Sequence, residues 1–238
     1  MGIILGGGGS GAKTVITNKL FENLIDSSKP ILYIPLAWNH YDEGYQNCKK
    51  FLIGELSDIK HGEIQVVQSG DEIVSKNLSD YAAVFIGGGN TYKLLKELKD
   101  SGAFEKIKKY TDAGGVVYGG SAGALIFGKN IDVGLYMDSN DVGLKDTKGF
   151  NSLFGFSFTA HYTNQEDEEH IKTTEYLKKY SEQEPVIALP EEDSLYTDGN
   201  IVKVVGSKSW YIFNNGNYRQ FNPNVEYTAN DFINIVNQ

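Results

Sequence analysis

The amino-acid sequence predicts an α/β fold in which a mostly parallel β-sheet is covered by helices on both faces. Over the first two-thirds of the 238 residues, short apolar runs alternate with amphipathic stretches, a spacing typical of βαβ units. The last third instead contains closely spaced strands separated by Gly and Asn turns. We therefore expect one domain over residues 1–238, with a β-rich, antiparallel carboxyl-terminal part.

Five buried apolar runs are the predicted strands of the parallel sheet. They are Gly2–Leu5, Ile31–Pro35, Ile64–Val67, Ala83–Ile86 and Val116–Tyr118. Between them, apolar residues recur every three or four positions, which is the period of a helix with one buried face. The sets that show this period are Ile16, Leu20 and Leu24; Tyr45, Cys48, Leu52 and Leu56; Tyr92, Leu95 and Leu98; and Phe104, Ile107 and Thr111.

The carboxyl-terminal third is predicted to start with a helix over Glu166–Tyr180 and to end with one over Thr228–Val236. Five strands are predicted between them: Val186–Leu189, Ser194–Thr197, Ile201–Val205, Trp210–Phe213 and Tyr218–Phe221. The sequences Asp198-Gly199-Asn200 and Asn214-Asn215-Gly216-Asn217 favour hairpin turns, because Gly and Asn tolerate positive φ. We expect an antiparallel meander that extends the main sheet.

Composition excludes several classes of protein. The net charge of −9 argues against nucleic acid or an anionic membrane as the main partner, since both select basic faces. The single cysteine excludes an intramolecular disulfide. No apolar run approaches the roughly 20 residues of a membrane span, and no signal peptide opens the chain. We therefore expect a soluble, cytoplasmic protein without a membrane partner.

The strongest local motif is Gly119-Gly120-Ser121-Ala122-Gly123, which matches G-x-S-x-G between a predicted strand and a helix-compatible stretch. This context is typical of a nucleophilic serine on a sharp turn, whose neighbours must be small. Ser121 is therefore the candidate nucleophile, and the backbone N–H of Ala122 is a candidate donor to an oxyanion. The alternative is an ordinary glycine turn with a helix-capping serine.

A second glycine run, Gly87-Gly88-Gly89-Asn90, also follows a predicted strand directly. Consecutive glycines allow close approach to a ligand and leave N–H groups free to bind an anion. Gly88 or Gly89 would then supply the second oxyanion donor, with Asn90 as a candidate substrate contact. In the alternative, Asn90 or Thr91 caps the next helix, and both interpretations can hold together.

A nucleophilic serine needs a base, which is most often histidine. The four histidines are His40, His61, His161 and His170. His161 follows an apolar alternating run and is expected at a strand end, where α/β sites are built. Glu191, which follows the Val186–Leu189 strand, is the first candidate for the acid that orients this base. Asp132 and Asp141 remain alternatives, because spacing does not choose among the three.

The segment Gly6–Thr14 nearly matches the phosphate-binding pattern G-x-x-x-x-G-K-[ST]. Ala12 breaks the register between the last glycine and Lys13, and that lysine has to reach the phosphates while the loop amides cradle them. A nucleotide-binding protein is therefore the weaker alternative. The other interpretation of the segment is a flexible glycine turn at the rim of a cleft. We expect neither a metal nor an organic cofactor.

Four motifs in order resemble peptidase family S51: Gly87–Leu95, Gly120–Ala124, Ala160–Tyr162 and Leu189–Glu191. The resemblance runs from the first strand to about residue 213. It implies the fold of class I glutamine amidotransferases, in which the elbow carries cysteine instead of serine. It also implies a serine hydrolase that cleaves a peptide or amide bond of a small peptide substrate. A homodimer is compatible with the resemblance, and a non-catalytic amidotransferase-like binding module is the alternative function.

The resemblance implies roles for individual residues. Ser121 would be the nucleophile, His161 the base and Glu191 the acid, with Asp132 or Asp141 as the alternative acid. The backbone amides of Gly88 and Ala122 would form the oxyanion hole, with Gly89 beside them.

One family feature is missing. The aspartyl dipeptidases of the family hold the substrate carboxylate with an arginine that follows the histidine, and residues 171–175 contain none. Lys172 could supply charge there, but it lacks the bidentate fork of arginine. We therefore do not expect strict specificity for aspartate.

Overall fold

The structure is a computed structural model that describes residues 2–38, 42–163 and 167–236. The strands of this part of the chain are β1 (Gly2–Gly6), β2 (Ile31–Ile34), β3 (Ile64–Val66), β4 (Ala83–Ile86), β5 (Val116–Gly120), β6 (Ser157–Thr159), β7 (Val186–Ala188), β8 (Ser194–Thr197), β9 (Ile201–Val205), β10 (Trp210–Asn214), β11 (Asn217–Phe221) and β12 (Glu226–Thr228). Its α-helices are α1 (Val15–Leu24), α2 (Asp42–Glu55), α3 (Gly70–Ser75), α4 (Thr91–Ser101), α5 (Ala103–Asp112), α6 (Ala122–Leu125), α7 (Glu168–Ser181) and α8 (Ala229–Val236).

The main sheet has eight strands in the order β12-β9-β8-β1-β5-β4-β2-β3. The five strands from β1 to β3 in this order are parallel to one another. β8, β9 and β12 continue the sheet with antiparallel pairings. The parallel strands place their carboxyl ends at one edge, where the two glycine runs and Ser121 follow β1, β4 and β5.

Helices cover both faces of the parallel strands, as predicted. Alternate residues of β1 pack on opposite faces, with Ile4 in the cluster that contains Phe21 of α1 and Leu52 of α2. Ile3 and Leu5 belong to the other cluster, which contains apolar residues of α4, α5 and α6. Because both faces are buried, the strands of this sheet read as continuous apolar runs rather than as alternating ones.

The expected single meander is wrong for part of the carboxyl-terminal third. β8 and β9 extend the main sheet, but β7, β10 and β11 form a second sheet with β6, in the order β11-β10-β7-β6. The physical reason lies in β10, which is buried on both faces. Trp210 and Ile212 pack in the large core, whereas Tyr211 and Phe213 pack with Leu177 of α7.

The predicted helices are present, and α3 is one that the periodicity did not predict. α7 begins at Glu168 with Asp167 as its N-cap, and residue 166 lies outside the described ranges. No helix in the described ranges has the length and apolar character needed to cross a bilayer. The described ranges also contain no cluster of three or more His, Cys, Asp and Glu side chains suited to bind a metal ion.

Candidate active site

Ser121 lies on a sharp turn between β5 and α6. Its backbone has φ 51° and ψ −115°, a conformation that is rare for a residue with a side chain. The turn requires small neighbours, because a Cβ on Gly119 would lie 2.3 Å from the carbonyl oxygen of Gly123. A Cβ on Gly123 would in turn lie 2.2 Å from the carbonyl oxygen of Ile86. The tight packing holds Ser121 at the carboxyl edge of the sheet.

The imidazole of His161 lies between Ser121 and Glu191. Its Nε2 is 2.9 Å from Ser121 Oγ, and its Nδ1 is 2.8 Å from Glu191 Oε1. Both distances are those of hydrogen bonds. With Nδ1–H donating to the carboxylate, Nε2 is left as the acceptor of the serine proton. The structure therefore joins three residues that are 40 and 30 positions apart in the sequence.

His161 and Glu191 meet because the strands before them are neighbours. β6 and β7 are parallel, with Thr159 opposite Ala188, so the residues after both strands emerge at the same edge. Two further backbone bonds fix this arrangement. The N–H of Tyr162 donates to Leu189 at 3.0 Å, and the N–H of His161 donates to Gly7 at 2.8 Å.

Lys13 forms an ion pair with the other oxygen of Glu191. Its Nζ is 2.5 Å from Glu191 Oε2, while Oε1 faces His161. The hydrogen bond from Lys13 lowers the pKa of the Glu191 carboxyl, with His161 contributing in the same direction, and the carboxylate in turn raises the pKa of Lys13. Glu191 is thus kept ionised and held at both oxygens. No motif or spacing in the sequence indicates this contact of Lys13, although Lys13 lies in the glycine-rich segment Gly6–Thr14.

The run after β1 has to consist of glycines, because its backbone lies very close to His161 and Glu191. A Cβ on Gly8, whose φ is 99°, would lie 2.2 Å from Cε1 of His161. A Cβ on Gly9 would lie 2.2 Å from the carbonyl oxygen of Glu191, and one on Gly7 would lie 1.9 Å from that of Pro190. The run therefore packs against His161 and Glu191, and Lys13, which follows it, pairs with the Glu191 carboxylate.

The glycine run after β4 lies beside Ser121. A Cβ on Gly88 would be 3.1 Å from the Cβ of Ser121. The N–H groups of Gly87 and Asn90 donate to Ile34 and Ala37. Within the described ranges, the intervening amides of Gly88 and Gly89 donate to no backbone oxygen. The same holds for the amide of Ala122, the first residue of α6.

The Asn90 side chain is already paired within the protein. Its Oδ1 accepts a hydrogen bond from the N–H of Lys93 at 2.9 Å and so caps α4. Its Nδ2 donates to the carbonyl of Ser139 at 2.9 Å. The capping role is thus observed, whereas a role for Asn90 in binding substrate stays a prediction.

The alternative acids contact other partners. Asp132 accepts hydrogen bonds from the hydroxyls of Tyr92 at 3.0 Å and Thr147 at 2.8 Å. Asp141 accepts one from Ser139 at 2.6 Å and is exposed. The acid that contacts His161 in the structure is Glu191.

The other histidines do not approach Ser121 in the described part of the chain. His61 places Nδ1 2.6 Å from the carbonyl oxygen of Gly62. His170 packs on the ring of Tyr162 with centroids 4.8 Å apart. His40 lies outside the described residues.

Two cavities meet at His161. One is a cleft of about 590 Å³ that contacts Ser121 and both glycine runs and extends between α2 and the sheet. The other, of about 670 Å³, contacts His161, Glu191 and the amino-terminal part of α7, with Ser121 not among its described lining residues. Lys172 lines neither cavity as described, and its Nζ instead pairs with Glu168 on the same helix.

Comparison with known proteins finds matches over most of the chain. The model of peptidase family S51 matches residues 3–205. The chain is 30% identical over 202 residues to peptidase E of Shewanella denitrificans, and the aligned region covers 82% of each of the two chains. It is 27% identical over 228 residues to peptidase E of a Nostoc species, covering 90% of this chain and 86% of the relative.

Solved structures show the same fold. A crystal structure from Listeria monocytogenes, provisionally assigned as a peptidase E, superposes with a TM-score of 0.65 at 26% identity. It covers 87% of this chain and 98% of that one. A peptidase from an acI-B1 actinobacterium superposes with a TM-score of 0.70 over 95% of this chain and 96% of its own, at 18% identity. This second likeness concerns the fold alone.

Proposed function

The chain belongs to peptidase family S51, and from this premise we propose that it is a serine-type peptidase that works through an acyl-enzyme on Ser121. The observation that carries the proposal is the position of the His161 ring. One ring nitrogen lies within hydrogen-bond distance of Ser121 Oγ and the other within hydrogen-bond distance of Glu191. That is the geometry of a nucleophile, a base and an orienting acid.

In the proposed reaction, Nε2 of His161 takes the proton of the Ser121 hydroxyl as Oγ attacks the substrate carbonyl carbon. Glu191 stabilises the imidazolium that forms. The tetrahedral intermediate then expels the amine, which takes its proton from His161 as the carbon–nitrogen bond breaks. Water attacks the remaining ester, transfers a proton to His161 and releases the acid, and Ser121 regains its proton.

The amides of Gly88 and Ala122 are the proposed donors to the oxyanion, with Gly89 beside them. The strained backbone of Ser121 supports the proposal, because a nucleophile elbow needs such a turn to present Oγ at the carboxyl end of a strand. The Gly88, Gly89 and Ala122 amides have no backbone acceptor within the described ranges, so they are available for negative charge that develops during the reaction. Such preorganised donors typically contribute a factor of about 10²–10³ in rate.

The proposal is tested by turnover of dipeptides and of an activated ester by the wild-type chain and by Ser121→Ala. We expect the substitution to lower kcat by about 10⁴-fold or more, because the nucleophile is lost. Ser139→Ala, which removes an exposed hydroxyl away from His161, serves as the matched control and should keep full activity. Equal turnover by folded wild-type protein and Ser121→Ala would contradict the proposal.

A further inference from the structure

Three aromatic side chains from neighbouring parallel strands form a row at the carboxyl end of the sheet. Tyr33 of β2 is the register partner of Phe85 of β4, and Phe85 is the partner of Tyr118 of β5. The ring centroids are 5.6 Å apart for the first pair and 4.5 Å for the second. Since register partners point to the same face of a sheet, the three rings lie side by side on the face that α1 and α2 cover.

This row lies directly beside both glycine runs. A Cβ on Gly87 would be 3.0 Å from the hydroxyl oxygen of Tyr33, and one on Gly6 would be 3.5 Å from the ring of Tyr118. The row therefore forms the floor of the cleft of about 590 Å³ that opens at Ser121.

Helix α2 and Trp38 complete the walls of the cleft. Phe51, on the face of α2 that lines the cleft, is 53% exposed. Trp38 is 61% exposed and lies against Gly89, where a Cβ would be 2.6 Å from its ring. Two large exposed aromatic rings at the mouth and three on the floor define what we call the aromatic slot: Tyr33, Trp38, Phe51, Phe85 and Tyr118.

The charges around the aromatic slot disfavour an acidic occupant. Among the described residues that line the cleft there is no Lys or Arg, and the carboxylates are Glu55 and Glu191. Glu55 Oε2 accepts hydrogen bonds from the N–H of Gly11 at 2.8 Å and from the hydroxyl of Thr14 at 3.4 Å. A substrate carboxylate in the slot would lose water, meet no Lys or Arg side chain among these lining residues and face Glu55.

The two cavities differ in which of the reacting groups they contact. The leaving amine of the proposed reaction takes its proton from Nε2 of His161, and His161 lines both cavities, so the amine part has room in the second cavity. That cavity contacts His161 and Glu191 and is lined largely by polar side chains. The acyl part stays attached to Ser121 and next to Gly88, and these residues line the cleft that contains the aromatic slot.

On the basis of the proposed function, we infer that the aromatic slot binds the side chain of the substrate residue that supplies the acyl group. It selects uncharged aromatic or bulky aliphatic side chains over acidic ones. An apolar side chain that enters the slot leaves water and contacts the exposed rings of Trp38 and Phe51 above the floor, which favours it over a methyl group.

The first test is kcat/KM for a series of aminoacyl p-nitroanilides that share one leaving group. We expect phenylalanine and leucine to exceed alanine by about tenfold or more, a typical effect of filling an apolar pocket, and aspartate to fall below alanine. Equal values for phenylalanine and alanine, or a preference for aspartate, would overturn the inference.

Variants of α2 test whether the preference for phenylalanine over alanine arises in the aromatic slot. Phe51→Ala should lower the phenylalanine-to-alanine ratio of kcat/KM, and Cys48→Phe should lower it further by filling the space between α2 and the row. Ile53→Ala is the matched control, because Ile53 is 44% exposed on the same helix and is not among the residues lining the cleft. A ratio that moves equally in the control would contradict the assignment.

Binding to Ser121→Ala separates failure of the inference from failure of the proposed function. Calorimetry with phenylalaninamide, alaninamide and aspartic acid α-amide needs no turnover. Tighter binding of phenylalaninamide, without turnover by the wild type, would support the slot and contradict the hydrolase. Turnover that depends on Ser121, with equal binding of the three amides, would support the hydrolase and contradict the slot.

Discussion

The two glycine runs at the carboxyl edge of the sheet look alike in sequence and differ in what they contact. The run after β1 packs against His161, Pro190 and Glu191, so its glycines are needed because this backbone lies very close to those three residues. The run after β4 lies beside Ser121 and keeps two amides without backbone acceptors in the described ranges.

The difference shows that a glycine run after a strand has no fixed meaning. In the run after β1, the absence of side chains makes room for neighbouring protein groups. In the run after β4, the same feature leaves donors available to a ligand. Gly6–Thr14 resembles a phosphate-binding loop because its glycines make room for neighbouring protein groups. Its lysine, Lys13, binds the Glu191 carboxylate.

Among glycine substitutions in the two runs, the largest effect is expected from Gly8→Ala in the run after β1. The new Cβ would lie 2.2 Å from the His161 ring, at a φ of 99° that disfavours any side chain. The ring has to move, and a displacement of about 1 Å typically costs about 10²-fold in kcat. Gly11→Ala is the control, because nothing lies within 4 Å of its Cβ position and its φ is also positive. Similar kinetics for Gly8→Ala and Gly11→Ala would contradict this account of the run.

The second prediction concerns Asp193, whose carbonyl accepts the N–H of Gly7. Burial raises the pKa of its carboxyl to about 6. The folded state then binds a proton more tightly than the unfolded state does, so stability is lost as pH rises from about 4 to about 6. Asp193→Asn should lack this loss. Between pH 4 and pH 7, its free energy of unfolding should therefore rise by on the order of 2 kcal/mol relative to that of the wild type.

The measurement for Asp193→Asn is urea unfolding of both proteins at several pH values. A difference in unfolding free energy that stays constant from pH 4 to pH 7 would be contrary to the expected result. Asp193 contacts neither Ser121 nor His161 directly, so the comparison concerns the support of the run after β1 rather than the reacting groups.

A smaller effect is expected from Gly88→Ala in the run after β4. Its Cβ would lie 3.1 Å from the Cβ of Ser121, a contact that small shifts can relieve. We expect about a tenfold loss in kcat with little change in KM, since the shift moves a proposed oxyanion donor. Gly120→Ala is the control beside Ser121, because its Cβ would have no neighbour nearer than 4.0 Å. An unchanged kcat in Gly88→Ala would count against an oxyanion role for this run.

Lys13→Met should have a modest effect with a distinctive pH dependence. The pair with Glu191 is partly exposed, so we expect a loss of about threefold in kcat/KM near neutral pH. Lys13 holds the pKa of Glu191 low, so its removal lets the carboxylate take up a proton at higher pH. The limb of the pH profile on which activity falls with falling pH should therefore move to higher pH. Lys13→Arg should restore the wild-type profile, and an unshifted limb in Lys13→Met would contradict the role of the pair.

The last prediction is that the run after β1 does not bind nucleotide, so that no effect of ATP is expected. Millimolar ATP with magnesium should leave the melting temperature unchanged, because Lys13 is paired with Glu191 and the Gly7 and Gly11 amides have acceptors. A concentration-dependent rise in melting temperature would show that this run binds phosphate after all.

Much of the fold could be predicted because its signals are local. The apolar runs from β1 to β5 and the helical periods between them identify the parallel sheet without knowledge of distant contacts. Assignment of β10 to a second sheet could not be predicted in this way. Its residues are buried on both faces, and the sequence does not say which strands lie beside it.

The candidate site, like the fold, could be predicted only in part from the sequence. Ser121, His161 and Glu191 each follow a strand, and this position marked them as candidates. The parallel pair β6–β7 explains why His161 and Glu191 meet, whereas Ser121 follows a strand of the other sheet and its contact with His161 depends on how the two sheets pack. The contact between Lys13 and Glu191 joins residues 178 positions apart, and no periodicity or motif indicates it. The close contacts at Gly7 and Gly9 likewise depend on the backbone of Pro190 and Glu191, and the one at Gly8 depends on the side chain of His161, all of them distant in the sequence.

The most direct test of the central claim is reaction of the folded protein with a serine-directed phosphonate, followed by digestion and mass spectrometry. The Ser121–His161–Glu191 arrangement predicts one adduct per chain on the peptide that contains Ser121, and slower labelling in His161→Gln. An unmodified wild-type chain, or an adduct on a different side chain, would contradict it.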